Sequence, residues 1–429
     1  MAFAYDRIAV GEQQVLEALV EQLAQRVGDV APDLLGVLAE QAISRMGWAY
    51  PWARASTLLL QPAHPKEVRA GWPGYPQPMR IVVTGATGNV GTSVLDALSR
   101  DPQVESIAGL ARRAPDLHYT KVDWVRADVS RDDLVPIFKG ADAVIHLAWL
   151  IQPGRDESIT RAVNVEGSRR TFEATAKAGV GALVYASSVG AYSPGPKYPA
   201  VDEEWPTGGI ETSFYSRHKA QVERILDGVE RDNPELRVAR LRPGLIFKRE
   251  AATGIRRLFA GPFVPNVLLR PDLIPVVPDM DDLVFQAVHS QDVADAYRRA
   301  ATMGDARGAF NIAAEPVLDP DVLAEALGAR KVPISPRVLR GLAQATFSLR
   351  LQPTEPGWLD MALQVPTMDT ARARMELGWT PRHSSTDALR ELLEGMSSGS
   401  GLPTPPLDPR TSGPLRVREL LTGLGQKSK

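Results

Sequence analysis

Apolar positions along this chain follow two periods, and the places where one gives way to the other mark out its elements. From Arg80 onward, short β-branched or apolar runs alternate with longer stretches in which apolar residues recur every three or four positions. The runs predict strands at Ile81–Val83, Ser106–Leu110, Val122–Arg126, Ala143–Leu147, Ala182–Ala186 and Val238–Leu241. The stretches predict helices from Asn89 (Val90, Val94, Leu95, Leu98), over Asn164–Ala178 and Tyr215–Arg231, and over His289–Ala300. Ile81, Val82 and Val83 are apolar without alternation, as a parallel strand buried on both faces requires. Strand and helix in strict succession predict an α/β chain with a doubly wound parallel sheet.

Outside this region the pattern changes. Residues 11–46 predict two helices, one carrying Val15, Leu16, Leu19, Val20, Leu23 and Val27, the other Leu34, Leu35, Leu38 and Ile43. Residues 47–78 are rich in Trp, Pro and Gly and read as a linker. Residues 1–78 are then either a helical appendage or sequence ahead of a true start at Met79. Residues 244–285 are rich in Pro, Arg and apolar groups, like a substrate-side insertion, and 311–395 hold further helices. Ser397–Pro414 has linker composition, with a short helix predicted at Leu415–Leu424. The expected division is 1–78 as N-terminal extension, 79–243 as nucleotide-binding domain, 244–395 as mainly substrate-binding portion, and 396–429 as tail.

Composition narrows the classes of function. A formal charge of −2 gives no basic field for nucleic acid or an anionic membrane. The absence of cysteine excludes disulfides, thiolate metal sites and a cysteine nucleophile, and fits a reducing, cytoplasmic setting. The six histidines form no ligand-spaced cluster, so no metal is expected. The most apolar stretch, 263–277, is broken by Arg270, Asp272 and prolines, so no bilayer span is expected.

The candidate chemistry begins in the turn after the first strand. Gly85, Gly88 and Gly91 have the spacing of a loop that lets backbone approach a pyrophosphate, with Thr87, Asn89 and Val90 at the helix start beneath it. A second signal is Tyr215-Ser-Arg-His-Lys219. Tyr and Lys four apart share a helix face, and an ammonium beside a phenol favours the phenolate, which suits acid/base work. One strand-helix unit earlier, Ser187 and Ser188 end a buried strand, on the sheet edge where parallel α/β sheets bind ligands.

TGATGNVG (84–91), Asp128-Val129, HLAW (146–149), Asn164-Val-Glu-Gly167, SSVGAY (187–192), YSRHK (215–219) and Leu241-Arg-Pro-Gly244 together resemble the extended short-chain dehydrogenase/reductase superfamily, in particular its NAD(P)-dependent epimerase/dehydratase group. The resemblance covers about Met79 to Leu393, where HSQDVADAY and LGWTPRHS also look like that family's tail. It implies a Rossmann domain with a smaller C-terminal substrate-binding domain. It also implies Tyr215 as acid/base, Lys219 lowering its pKa and holding the nicotinamide ribose, and Ser188 steadying the substrate oxygen. Asp128 and Val129 would line the adenine, Leu147 and Ala148 would run along the cofactor, and Pro243 would lie by the nicotinamide. Asn164 matches a structural asparagine, and a homodimer through paired helices is common in the family.

Cofactor choice turns on the end of the second strand. Ala111 stands where an acidic residue would bind the ribose hydroxyls of NAD, and Arg112 and Arg113 follow it, so NADP is expected ahead of NAD. Departures bear on substrate. Val189 and Gly190 follow Ser188 in place of an acidic pair, which disfavours elimination, and no pattern assignable to nucleotide-sugar binding appears in 244–285. Arg256, Arg257 and Arg270 are candidates for a phosphorylated substrate, or merely solvated. The reading is hydride transfer at a hydroxyl or carbonyl carbon of a small molecule. The alternatives are a nucleotide-sugar epimerase that keeps its cofactor, and a non-catalytic NADP(H)-sensing regulator.

Overall fold

The computed structural model describes residues 78–151, 157–259, 274–348 and 355–409. All of these fall in one unit, Pro76–Lys429. The two N-terminal helices, nearly all of the 47–78 linker, and Leu415–Leu424 lie outside the described residues.

The elements that matter for the site are, in order, β1 (Met79–Thr84), α1 (Asn89–Ser99), β2 (Val104–Ala111), β3 (Val122–Arg126), β4 (Ala143–His146), α2 (Gly167–Lys177), β5 (Ala182–Ala186), α3 (Phe214–Asp232), β6 (Arg237–Pro243) and β7 (Leu245–Phe247). They are followed by β8 (Val276–Asp279), β9 (Ala287–His289), α4 (Ser290–Thr302), β10 (Gly308–Ile312), β11 (Arg330–Pro333), α5 (Gly357–Gln364) and α6 (Ser385–Ser398). Seven strands form one sheet in the order β3-β2-β1-β4-β5-β6-β10, and every neighbouring pair is parallel. Helices cover both faces, as the strand-helix succession requires.

β1 shows why its residues are apolar without a break. Ile81 and Val83 pack with Val94, Leu95 and Leu98 of α1 and with Val293, Ala296 and Tyr297 of α4. Val82 turns to the opposite face, against Phe172 of α2 and Val222 and Leu226 of α3. Each such aliphatic side chain contributes about 1.5–3 kcal/mol by leaving water. The helix predicted from Asn164 starts instead as a π-helical turn, Ala162–Glu166, before α2 takes over. There the Asn164 side chain turns back to bond both backbone groups of Leu150, at 2.7 and 3.0 Å.

The smaller C-terminal portion is built on two short parallel pairs, β7 with β9 and β8 with β11. Phe247, Leu318, Leu389, Leu392, Leu393 and Met396 form its core. Composition reads 397–414 as a linker, yet Ser397 and Ser398 complete α6 and Leu407 is 3% exposed. Residues 399–409 are turn-rich chain folded back on themselves, with Leu402 N–H donating to Leu407 O and the Thr253 hydroxyl donating to Ser400 O.

Candidate active site

Parallel strands end on one edge, so the chain segments leaving β1 to β6 gather there. The turn after β1 makes a cradle. Gly85 has φ +68°, and a Cβ there would lie 2.7 Å from the backbone of Leu147 and Ala148. A Cβ on Gly91 would strike the carbonyl oxygen of Gly85. Only glycine allows both approaches. α1 has Gly88 as its N-cap residue, with no side-chain cap and no acidic residue in its first turn, so its N-terminal dipole is not neutralised by its own side chains. Asn89 donates from Nδ2 to Ile246 O at 3.1 Å, while its Oδ1 is buried without a partner among the described residues. Thr87 lies nearly buried in the turn, and Val90 packs on the core beneath it.

The exit of β4 runs beside this cradle. Leu147 N–H donates to Thr84 O at 3.2 Å and Ala148 N–H to Thr84 Oγ1 at 3.3 Å. His146, 1% exposed, bridges Thr84 Oγ1 (2.7 Å, from Nδ1) and Ser168 Oγ (2.9 Å, from Nε2). Burial, and then the charge of Lys219, push its pKa down to about 3. It is neutral, and it fixes β1, β4 and α2 relative to one another.

At the ends of β2 and β3, Arg112 and Arg113 are exposed. Asp128 accepts from the Ser130 amide and hydroxyl at 3.0 and 2.6 Å. Burial raises its carboxyl, but those bonds and the charges of Arg112 and Arg131 prevail and leave it below the usual range. Val129 is buried against Gly167.

Beyond β5, Ser188 Oγ accepts from Gly190 N–H at 3.0 Å, and the Tyr215 ring packs against Gly190. Ser187 is turned away, donating to Glu223 Oε1 at 2.5 Å. Burial pushes the Tyr215 phenol up to about 12, with the nearby Ser188 hydroxyl acting to lower it. The Lys219 ammonium donates to Ala186 O at 2.5 Å and faces the Trp149 ring, 3.5 Å from its centroid, whereas the Tyr215 ring centroid is 5.8 Å away. Burial pulls the Lys219 pKa well down, with the Glu223 charge opposing. Tyr215 lies between two indoles, Trp149 edge-on at 5.9 Å and Trp358 of α5 at 5.0 Å, with Ile210 and Met361 in the same apolar cluster. Pro243 ends β6 on this edge.

The floor of the site is ionic. Glu223, two turns past Tyr215 on α3, accepts from Arg242 Nε at 2.9 Å and from Arg240 at 3.0 Å. Arg242 also donates to Tyr192 Oη at 3.1 Å, and Tyr192 in turn to Asn311 Oδ1 at 2.7 Å. Lys248, 5% exposed, sits against the early turns of α1, donating to Thr92 Oγ1 (2.7 Å) and Ser93 Oγ (3.1 Å), and burial lowers its pKa to about 8.

A sequence profile of the NAD dependent epimerase/dehydratase family matches residues 81–313. The chain belongs to that family. It is 28% identical over 327 residues to an uncharacterised protein of Mycobacterium tuberculosis, across 76% of this chain and only 31% of that protein's length. It is 27% identical over 335 residues to the UDP-glucose 4-epimerase of Mycolicibacterium smegmatis, across 74% of this chain and 98% of that enzyme. Among solved structures it resembles a Thermus thermophilus UDP-glucose 4-epimerase in complex with NAD, with TM-score 0.54 and 21% identity over 74% of this chain and 99% of the other. That last likeness is one of fold.

For an epimerase/dehydratase-family nicotinamide dinucleotide, the cradle is the part that fits most directly. Glycines stand where a Cβ would strike the neighbouring backbone, the helix N-terminus is uncapped, and two polar atoms, Asn89 Oδ1 and Trp149 Nε1, are buried without partners among the described residues. The edge gathers the glycine turn, Leu147, Ala148, Ser188, Tyr215, Lys219 and Pro243, with Arg112, Arg113, Asp128 and Val129 at its β2–β3 end. Of the arginines considered for a phosphorylated substrate, Arg256 is buried, while Arg270 and the Arg257 side chain lie outside the described residues. Sequence reading missed Trp149 as a Lys219 contact, Trp358, Glu223, Arg242, Lys248 and His146. Glu223 was within reach, since it follows Lys219 by four residues on the same helix. Trp358 carried no signal, being 143 positions from Tyr215.

Proposed function

We propose that this family member is an enzyme transferring hydride at a hydroxyl- or carbonyl-bearing carbon of a small molecule, with Tyr215 as its acid/base. The observation that carries the reading is the placement of Tyr215 against the Ser188–Gly190 turn, on the same sheet edge as the glycine cradle. When bound, a nicotinamide supplies the carbon that gives or accepts hydride. Tyr215 Oη holds the proton that passes to or from the substrate oxygen, and Ser188 Oγ donates to that oxygen as charge gathers on it. Lys219, once turned from Trp149 toward the ribose, brings its charge to the phenol and lowers a pKa that burial alone sets too high for proton exchange. The exposed Arg112 and Arg113, with no acidic residue at Ala111, support NADP over NAD.

Tyr215→Phe tests the mechanism: nicotinamide absorbance change with substrate should vanish while calorimetric cofactor affinity stays within about twofold. Turnover retained by this variant would overturn it. A second reading, epimerisation of a nucleotide sugar with retained cofactor, is favoured by alignment with 98% of the M. smegmatis enzyme. Cofactor co-purifying with the protein, and isomerisation of substrate without net nicotinamide reduction, would select it.

A further inference from the structure

We propose that Trp149 occupies, in the free protein, the face of Lys219 that a dinucleotide must take, so that its indole is a competitor the cofactor displaces. The inference rests on the nucleotide-site reading above. It starts from sheet order: β4 lies between β1 and β5. A ligand reaching from the cradle after β1 to Ser188 and Tyr215 after β5 therefore crosses the end of β4, which is the segment Leu147–Trp149.

The Lys219 side chain, 2% exposed, has one hydrogen bond, to Ala186 O, and forms no carboxylate ion pair among the described residues. An ammonium has three donors. The remaining charge is met by π faces, Trp149 at 3.5 Å and Tyr185 at 5.2 Å. Trp is the strongest aromatic partner for a cation, so this is a stand-in for oxygen ligands and not a void. The same indole holds its own N–H buried without an acceptor. Such a donor is costly to leave unmade, so this resting position of the indole is held weakly and gives way to a ligand that takes the Lys219 face. The backbone here is fixed, because Asn164 bonds both backbone groups of Leu150, so exchange between the two states falls to the Trp149 side chain.

The test is calorimetric titration of full-length wild type, Trp149→Ala and Trp149→Phe with three probes: NADP, ADP-ribose and ADP. ADP-ribose keeps the second ribose without the nicotinamide, and ADP lacks both. With competition removed, Trp149→Ala should bind NADP and ADP-ribose about threefold to tenfold tighter, the worth of a partly desolvated cation–π contact. ADP affinity should not change, and Trp149→Phe, with a weaker π face, should fall between. Tryptophan fluorescence of wild type should change on adding ADP-ribose but not ADP, and the change should be lost in Trp149→Phe. Equal affinities across the three proteins, or a gain that includes ADP, would overturn the Trp149 inference while leaving the nucleotide site standing. Failure of all three probes to bind folded wild type would overturn the nucleotide-site reading itself, and this inference with it.

Discussion

Glu223→Gln should cost this protein about 3–4 kcal/mol of stability at neutral pH, as expected for removing one partner from a buried ion pair. Glu223 is 1% exposed and faces two guanidinium groups, each itself buried. Burial alone would raise its carboxyl. The charge and hydrogen bonds of Arg242, the charge of Arg240 and the Ser187 hydroxyl outweigh that and hold it at about 2, from an ordinary 4.5. At about 1.4 kcal/mol per unit, that difference favours the ionised native state by about 3 kcal/mol. Glutamine keeps an acceptor for Ser187 but removes the charge. Arg240 retains Asp227 and Glu230, so Arg242 is the group left poorly compensated. The sign with pH follows from the lowered folded pKa: the contribution is complete above about 4.5 and is lost as pH falls through about 2. Urea unfolding of wild type and variant should give a gap that is constant above about pH 5.5 and narrows steadily at about pH 4 and below. A neutral-pH gap under about 1 kcal/mol, or one that does not narrow in acid, would refute the assignment of the network as the floor of the site.

The remaining predictions are briefer. His146, neutral and held at about 3 from 6.5, contributes stability that is complete above about 6.5 and declines as pH falls toward about 3. Wild type should take up one more proton on unfolding near pH 5 than His146→Asn does, and equal uptake would contradict its burial as a neutral bridge. Lys248 places a buried positive charge against α1, so nucleotide affinity should decline as pH rises through about 8, and Lys248→Met should weaken binding several-fold and flatten that dependence. A Gly91→Ala variant, forcing a methyl into the Gly85 carbonyl, should lose nucleotide binding measured by calorimetry while far-UV circular dichroism stays near wild type. Arg112→Ala with Arg113→Ala should lower NADP affinity more than NAD affinity, and equal loss of both would remove the arginines from cofactor choice.

Periodicity and glycine spacing carried the sheet, because they are local. Ala182–Ala186 and Val122–Arg126 match to the residue, and β6 only extends the predicted run to Arg237 and Pro243. A buried strand needs an unbroken apolar run, and a helix covering it needs one apolar face; each is written within a dozen residues. The glycine turn, Ser188, Tyr215 and Lys219 were legible for the same reason, since strand ends and i, i+4 spacing bring them to one edge without reference to distant chain. Other features depended on packing across the fold. That Lys219 faces an indole, that Trp358 lies on Tyr215, that Glu223 sits between two arginines, and that Lys248 rests on α1 are contacts between segments far apart in sequence. Their geometry, and with it the charge state of the groups involved, is set by desolvation and by neighbours that only the folded chain assembles. The sequence alone determined the sheet, its carboxyl-terminal edge and the residue types gathered there; the tertiary structure decided which partners those residues have, because burial and electrostatics depend on everything packed around a group and not on its own stretch of chain.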